Sequence, residues 1–169
     1  MPASNAINVY DIYSVSRDER DIGSITNDKY IQSKIRSKIL FTKGLSSFDI
    51  EVEVFYGEVY LLGLVQSDGF KNALLQLAKD TAGVRKVHEY IRIKQANYPC
   101  SSTKILANLK ANLFSDSSVK STNVRIGVVG CDVVFSGIVA THEYEKHAIW
   151  YAKHIDGVAD VYSFLRVLR

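Results

Sequence analysis

No apolar run in this chain approaches the roughly 20 residues that a membrane-crossing helix needs, so none is expected. The opening MPASNAINVYDIY lacks the basic start and apolar core of an export signal. That leaves either a cytosolic chain or a mature exported one. Cysteine is scarce: Cys100 falls in a linker and Cys131 in a hairpin turn. Two such residues make no framework, and their spacing does not bring them within bonding distance. Catalytic signatures are missing too. There is no HExxH, no Gly-rich phosphate loop, and Ser136-Gly137 does not form a GxSxG elbow. Neither sign of charge dominates, the net value being +3. That suits an anionic surface but is too little for a nucleic-acid arm, and no aromatic-basic platform is evident. No catalysis, cofactor, metal or nucleic-acid partner is expected.

What is present is a repeat. Residues 48–65 (FDIEVEVFYGEVYLLGLV) and 122–139 (TNVRIGVVGCDVVFSGIV) have the same shape. Gly63 and Gly137 lie 74 positions apart, and the same offset carries Gly83 onto Gly157, Val84 onto Val158 and Ile31 onto Ile105. The register defines an N-terminal extended arm over 1–26, a first module over 27–94, a linker over 95–101 and a second module over 102–169. Each module is near the lower size at which a core supports itself, so contact between the two matters.

Asn27 or Asp28 is placed as the N-cap of a first helix whose apolar stripe is Ile31, Ile35 and Ile39. Phe48, Ile50, Val52 and Val54 alternate with Asp49, Glu51 and Glu53, the pattern of a strand with one solvated, ionised face. A tight turn at Tyr56-Gly57 or Gly57-Glu58 leads to a return strand ending at Val65. Ser67 caps a second helix, Gly83 stops it, and Val84 to Lys94 supply a third strand. The second module repeats the order, with Thr141 as its second cap and Gly157 as its second stop. Gly63 and Gly137 fall inside strands, where they would let a helix pack closely. The fold class is α+β: two tandem αββαβ modules, each a three-stranded mixed sheet with two helices on one face.

The pattern GxVxLxGxV, a helix, then GVxxV resembles the BON domain. The first copy carries GEVYLLGLV over 57–65 and GVRKV over 83–87. The second carries CDVVFSGIV over 131–139 and GVADV over 157–161. The lead-in DERDIGSITND over 18–28 is similar to that of DolP/YraP-like and OsmY-like bacterial envelope proteins. The resemblance implies a non-enzymatic periplasmic protein, possible anchorage at the outer membrane, contact with anionic phospholipid through the second copy, and roles in envelope integrity and stress response. The sequence departs from the family at Cys131, where a glycine is usual. It departs again at Lys104, where lipid-binding members carry an aromatic. Here the aromatic falls in the first copy, as Tyr30.

Two surfaces are candidates for contact. Lys104, Leu106, Ala107, Lys110, Ala111, Phe114 and Lys120 form a basic and apolar set on and after the first helix of the second module, suited to an anionic phospholipid surface. Tyr60, Leu62, Leu64 and Tyr90 in the first module, with Val134, Ile138, Tyr162, Phe164 and Leu168 in the second, point away from their own helices. Sheet faces that apolar need a cover: the two sheets pack on each other, or an envelope protein or a second copy packs on them. His147 and His154 share a helix face with only Glu143 nearby as a further ligand, which reads as a solvated face.

Overall fold

The computed structural model describes residues 21–115 and 123–167. The expectations for residues 1–20, Lys120 and Leu168 lie outside that range, and of Phe114 only its place in a helix is described. The first helix, α1, runs Ile22–Phe41, with the Asp21 carboxylate accepting from the Ser24 N–H at 3.0 Å. It therefore begins earlier than the expected cap at Asn27 or Asp28, and residues 22–26 are helical and not part of an extended arm. The apolar period at 31, 35 and 39 marks where the helix packs, not where it starts. Asp28 is buried on the helix instead. Its carboxylate accepts from the backbone N–H groups of Tyr56 and Gly57, each at 2.8 Å.

Strands β1 (Ile50–Phe55) and β2 (Glu58–Val65) pair antiparallel around the two-residue turn Tyr56-Gly57. Both turn residues have positive φ, the type I′ pattern that matches strand twist. Phe48 precedes the strand and is fully exposed, so it does not extend the buried face. Helix α2 (Asp68–Lys79) is capped by Ser67 and leads to β3 (Lys86–Ile93), which pairs parallel with β2. The second module repeats this with α3 (Ser102–Ser115), β4 (Val124–Val129), β5 (Asp132–Val139), α4 (His142–Lys153) capped by Thr141, and β6 (Asp160–Ser163). A short β7 (Arg166–Val167) also pairs with β5, so the last strand of this module is interrupted around Phe164 and Leu165. Its turn, Gly130-Cys131, has positive φ only at Gly130, the type II′ pattern, which is how a cysteine stands where the first module has Gly57.

Gly63 and Gly137 have positive φ, and a Cβ at either would collide with backbone of the preceding strand, Asp49 O and Asn123 O. These glycines are needed for close strand-to-strand approach and not, as the sequence suggested, for helix packing. The same carbonyls accept from Leu64 and Ile138 N–H, so the device is identical in both modules.

Each module has its own core between helices and sheet. In the first, Ile31, Ile35 and Ile39 meet Val52, Val59, Leu61 and Leu74; in the second, Ile105 and Leu109 meet Val133, Phe135 and Ala148. The opposite sheet faces meet each other. The result is four layers, helices–sheet–sheet–helices, with a third apolar zone between the sheets.

Cys100 and Cys131 form a disulfide, with Cα atoms 5.8 Å apart. This corrects the expectation of two unrelated cysteines. The linker folds back against the β4–β5 turn, an approach that no sequence spacing reveals. The bond ties the start of the second module to its hairpin turn, as the Asp28 carboxylate ties helix to turn in the first.

Candidate functional site

The seam between the sheets is built from alternate residues of each strand. From the first module come Phe55, Tyr60, Leu62, Leu64 and Tyr90; from the second, Val129, Val134, Ile138 and Phe164. Tyr60 lies edge-on to Phe164 at 5.7 Å and stacks on His88 at 4.6 Å. Tyr90 meets Tyr162 at 5.3 Å and donates a hydrogen bond to Asp132 at 3.0 Å. Leu62 faces Gly127, where even a Cβ would crowd it. The apolar sheet faces thus cover one another within the chain. Of the nine residues expected on these faces eight are described, and among them Tyr162 alone stays substantially open, at 47%.

The rim of the seam is charged. Arg166 from the second module reaches Glu58 at 2.9 Å, and His88 meets the other oxygen of Glu58 at 2.7 Å. Partial burial works against it, but the His88 hydrogen bond and the Arg166 charge hold Glu58 below the usual carboxylate range. Burial, with the charge of Glu58, pushes the Tyr60 phenol up to about 12.

Glu51 and Glu53 do not lie on a solvated face. They point into the seam beside β4. Glu53 is met by Arg125 at 3.6 Å, by Arg36 at 3.8 Å and by the Gln32 amide at 3.2 Å. Burial and the neighbouring Glu53 charge raise Glu51 to about 7, in spite of the positive charges of Arg36, Lys110 and Arg125. Charged residues at alternate strand positions normally mean solvent. Here they mean a second module with matching cations, a signal visible only in Arg125 and Lys110 of the other repeat.

The lipid candidates separate into two groups. Lys104, Ala107 and Ala111 are exposed on α3, and Leu106 is half-buried. Lys110 is half-buried, and its positive charge bears on Glu51. Among the described residues, no group of three or more His, Cys, Asp or Glu is placed to hold a metal ion. No helix among them is long and apolar enough to cross a membrane.

Two αββαβ modules joined sheet to sheet define a tandem repeat protein. The BON domain profile matches residues 27–95 and 101–169, and the chain belongs to that family. The chain is 25% identical over 158 residues to the outer membrane lipoprotein DolP of Haemophilus influenzae, covering 91% of this chain and 81% of that protein. It is 28% identical over 83 residues to an uncharacterised protein from the gshII 5′ region of Anaplasma centrale, covering 49% of this chain and 55% of the relative. It is 32% identical over 98 residues to a 21 kDa hemolysin of Actinobacillus pleuropneumoniae, covering 57% and 47%. The chain thus spans about half the length of the latter two. Among solved structures, the C-terminal domain of CdsD, a structural protein of the Chlamydia trachomatis type III secretion system, aligns at a TM-score of 0.35 and 13% identity, covering 84% of this chain and 67% of that one.

Proposed function

We propose that this chain is a non-enzymatic protein of the bacterial envelope, located in the periplasm at the outer membrane, that binds anionic phospholipid and supports envelope integrity. The observation that carries the reading is the Cys100–Cys131 disulfide. A structural disulfide persists in an oxidising compartment and is rare in the cytosol, so it favours the exported alternative left open by the sequence. The likeness to an outer membrane lipoprotein over 91% of the chain supports the same compartment. For lipid contact, support comes from the cationic balance of the chain and from helix surfaces that keep lysine and apolar side chains in solvent. The sheet faces do not serve an outside partner, because they are buried against each other.

The test is co-sedimentation with vesicles of phosphatidylethanolamine alone and with added phosphatidylglycerol. Binding that needs phosphatidylglycerol and weakens with salt is expected. Absence of binding to either vesicle at low ionic strength refutes the lipid reading.

A further inference from the structure

Helix α1 is apolar on two sides. Its inner side holds Ile31, Ile35 and Ile39 in the core. Its outer side, which in a solvated helix should be polar, carries Tyr30, Leu40 and Phe41, exposed by 57%, 65% and 83%. The chain then turns twice, with Leu45 N–H donating to Thr42 O and Asp49 N–H to Ser46 O, and presents Phe48 fully to solvent. Phe48 lines a cleft together with Arg36 and Ile39 of the same helix, so the loop aromatic stands beside the C-terminal half of α1. No fold requirement explains these side chains: none of them enters a core or the seam.

The charge along this stretch of sequence has one sign, while Asp49 and Glu51 line the cleft beside Phe48. From residue 29 to residue 48 the sequence contains Lys29, Lys34, Arg36, Lys38 and Lys43, and no Asp or Glu. All five are exposed. Tyr30 and Lys34 sit one helical turn apart, with the Lys34 ammonium 5.1 Å from the ring centroid. Two turns further along lies the Phe41 end of the helix.

A cationic helix with aromatic side chains facing outward complements a surface that is anionic at its plane and apolar just beneath it. A second copy is disfavoured as the occupant, because a two-fold contact would bring the same five cations against themselves. In the second module the positions 74 residues later are Lys104, Phe114, Ser115 and Thr122, so the paired aromatics of this end are not repeated.

We infer that the first module, not the second, makes the principal membrane contact: α1 lies against an anionic bilayer, with Phe41 and Phe48 inserted below the headgroups and Lys34 and Lys43 at the phosphate level. This rests on the phospholipid-binding reading and assigns it a site. Burial of two aromatics and neutralisation of two lysines each contribute to partitioning.

The test uses the full chain and vesicles of phosphatidylethanolamine with phosphatidylglycerol. Phe41→Ser with Phe48→Ser should weaken co-sedimentation by at least about tenfold, and Lys34→Glu with Lys43→Glu by at least about tenfold as well. All four positions are exposed, so thermal melting should stay unchanged. A second measurement uses the single tryptophan of the chain. In a Trp150→Phe background, Phe41→Trp or Phe48→Trp should shift to shorter wavelength on vesicle addition and be quenched by brominated acyl chains. The inference is overturned while the lipid reading stands if the Phe41/Phe48 variant binds like the parent and Lys104→Glu abolishes binding. If the parent protein itself ignores anionic vesicles, both fail. A stable dimer that Phe41→Ser dissociates would overturn the inference in favour of self-association.

Discussion

Glu51 is the most sensitive reporter of the seam. Its ordinary carboxyl value is 4.5, and between the two sheets it rises to about 7. The native state therefore holds the Glu51 proton more tightly than the unfolded chain does. Stability from this group is complete below pH 4.5, declines as pH rises, and is gone above about 7. The gap amounts to about 3 kcal/mol at roughly 1.36 kcal/mol per pH unit, and about 2 kcal/mol is expected once solvent screening of a partly exposed carboxylate is allowed for. Glu51→Gln removes the titration while keeping the shape. The assay is urea denaturation followed by circular dichroism at fixed ionic strength from pH 5 to 8, for parent and variant. Other groups titrate equally in both, so the difference between them isolates position 51. The variant should gain on the parent by about 2 kcal/mol across that range and be the more stable protein at pH 8. A difference that is flat with pH, or a variant weaker than the parent at pH 8, would show that Glu51 is solvated and that the modules do not close over it.

Two further outcomes follow from the same architecture. Leu62→Lys combined with Phe164→Lys puts unpaired ammonium groups between the sheets and should cost at least about 3 kcal/mol in denaturant unfolding; an unchanged melting curve would rule out the buried seam. Replacing Cys100 and Cys131 by serine opens a cross-link between residues 31 apart and should lower stability by about 3–4 kcal/mol, while thiol titration of the unreduced native protein should find no free cysteine.

The fold was readable because the evidence for it is periodic. Alternation along Val59, Leu61 and Val65 fixes one face of β2, and Tyr60, Leu62 and Leu64 expose the oddity of the other. A 74-residue register then says that the oddity occurs twice. What stayed hidden depends on approach between distant segments. Asp28 has the local appearance of a helix cap, and its true partners are the N–H groups of a turn 28 residues later. Glu51 and Glu53 look solvated in any strand taken alone. Phe48 extends the alternation that belongs to the core from Ile50, so the sequence assigns it inward; only the two turns after the helix put it in solvent.

The four-layer arrangement also restricts where a contact function can be. Each sheet has a helix layer on one face and the other sheet on its second face, which removes both broad faces from any outside partner. What remains are outer helix surfaces, strand edges and loops. The two first helices, equivalent by the repeat, have diverged there. On α3, Lys110 is half-buried and its charge bears on Glu51, leaving Lys104 with Ala107 and Ala111 in solvent. On α1, Arg36 pairs with Glu53, yet Lys34 stays exposed with Tyr30, Leu40 and Phe41, and the exposed Lys43 follows two residues after the helix ends. The closed seam fixes the two modules to each other, so a surface that holds one necessarily orients the other.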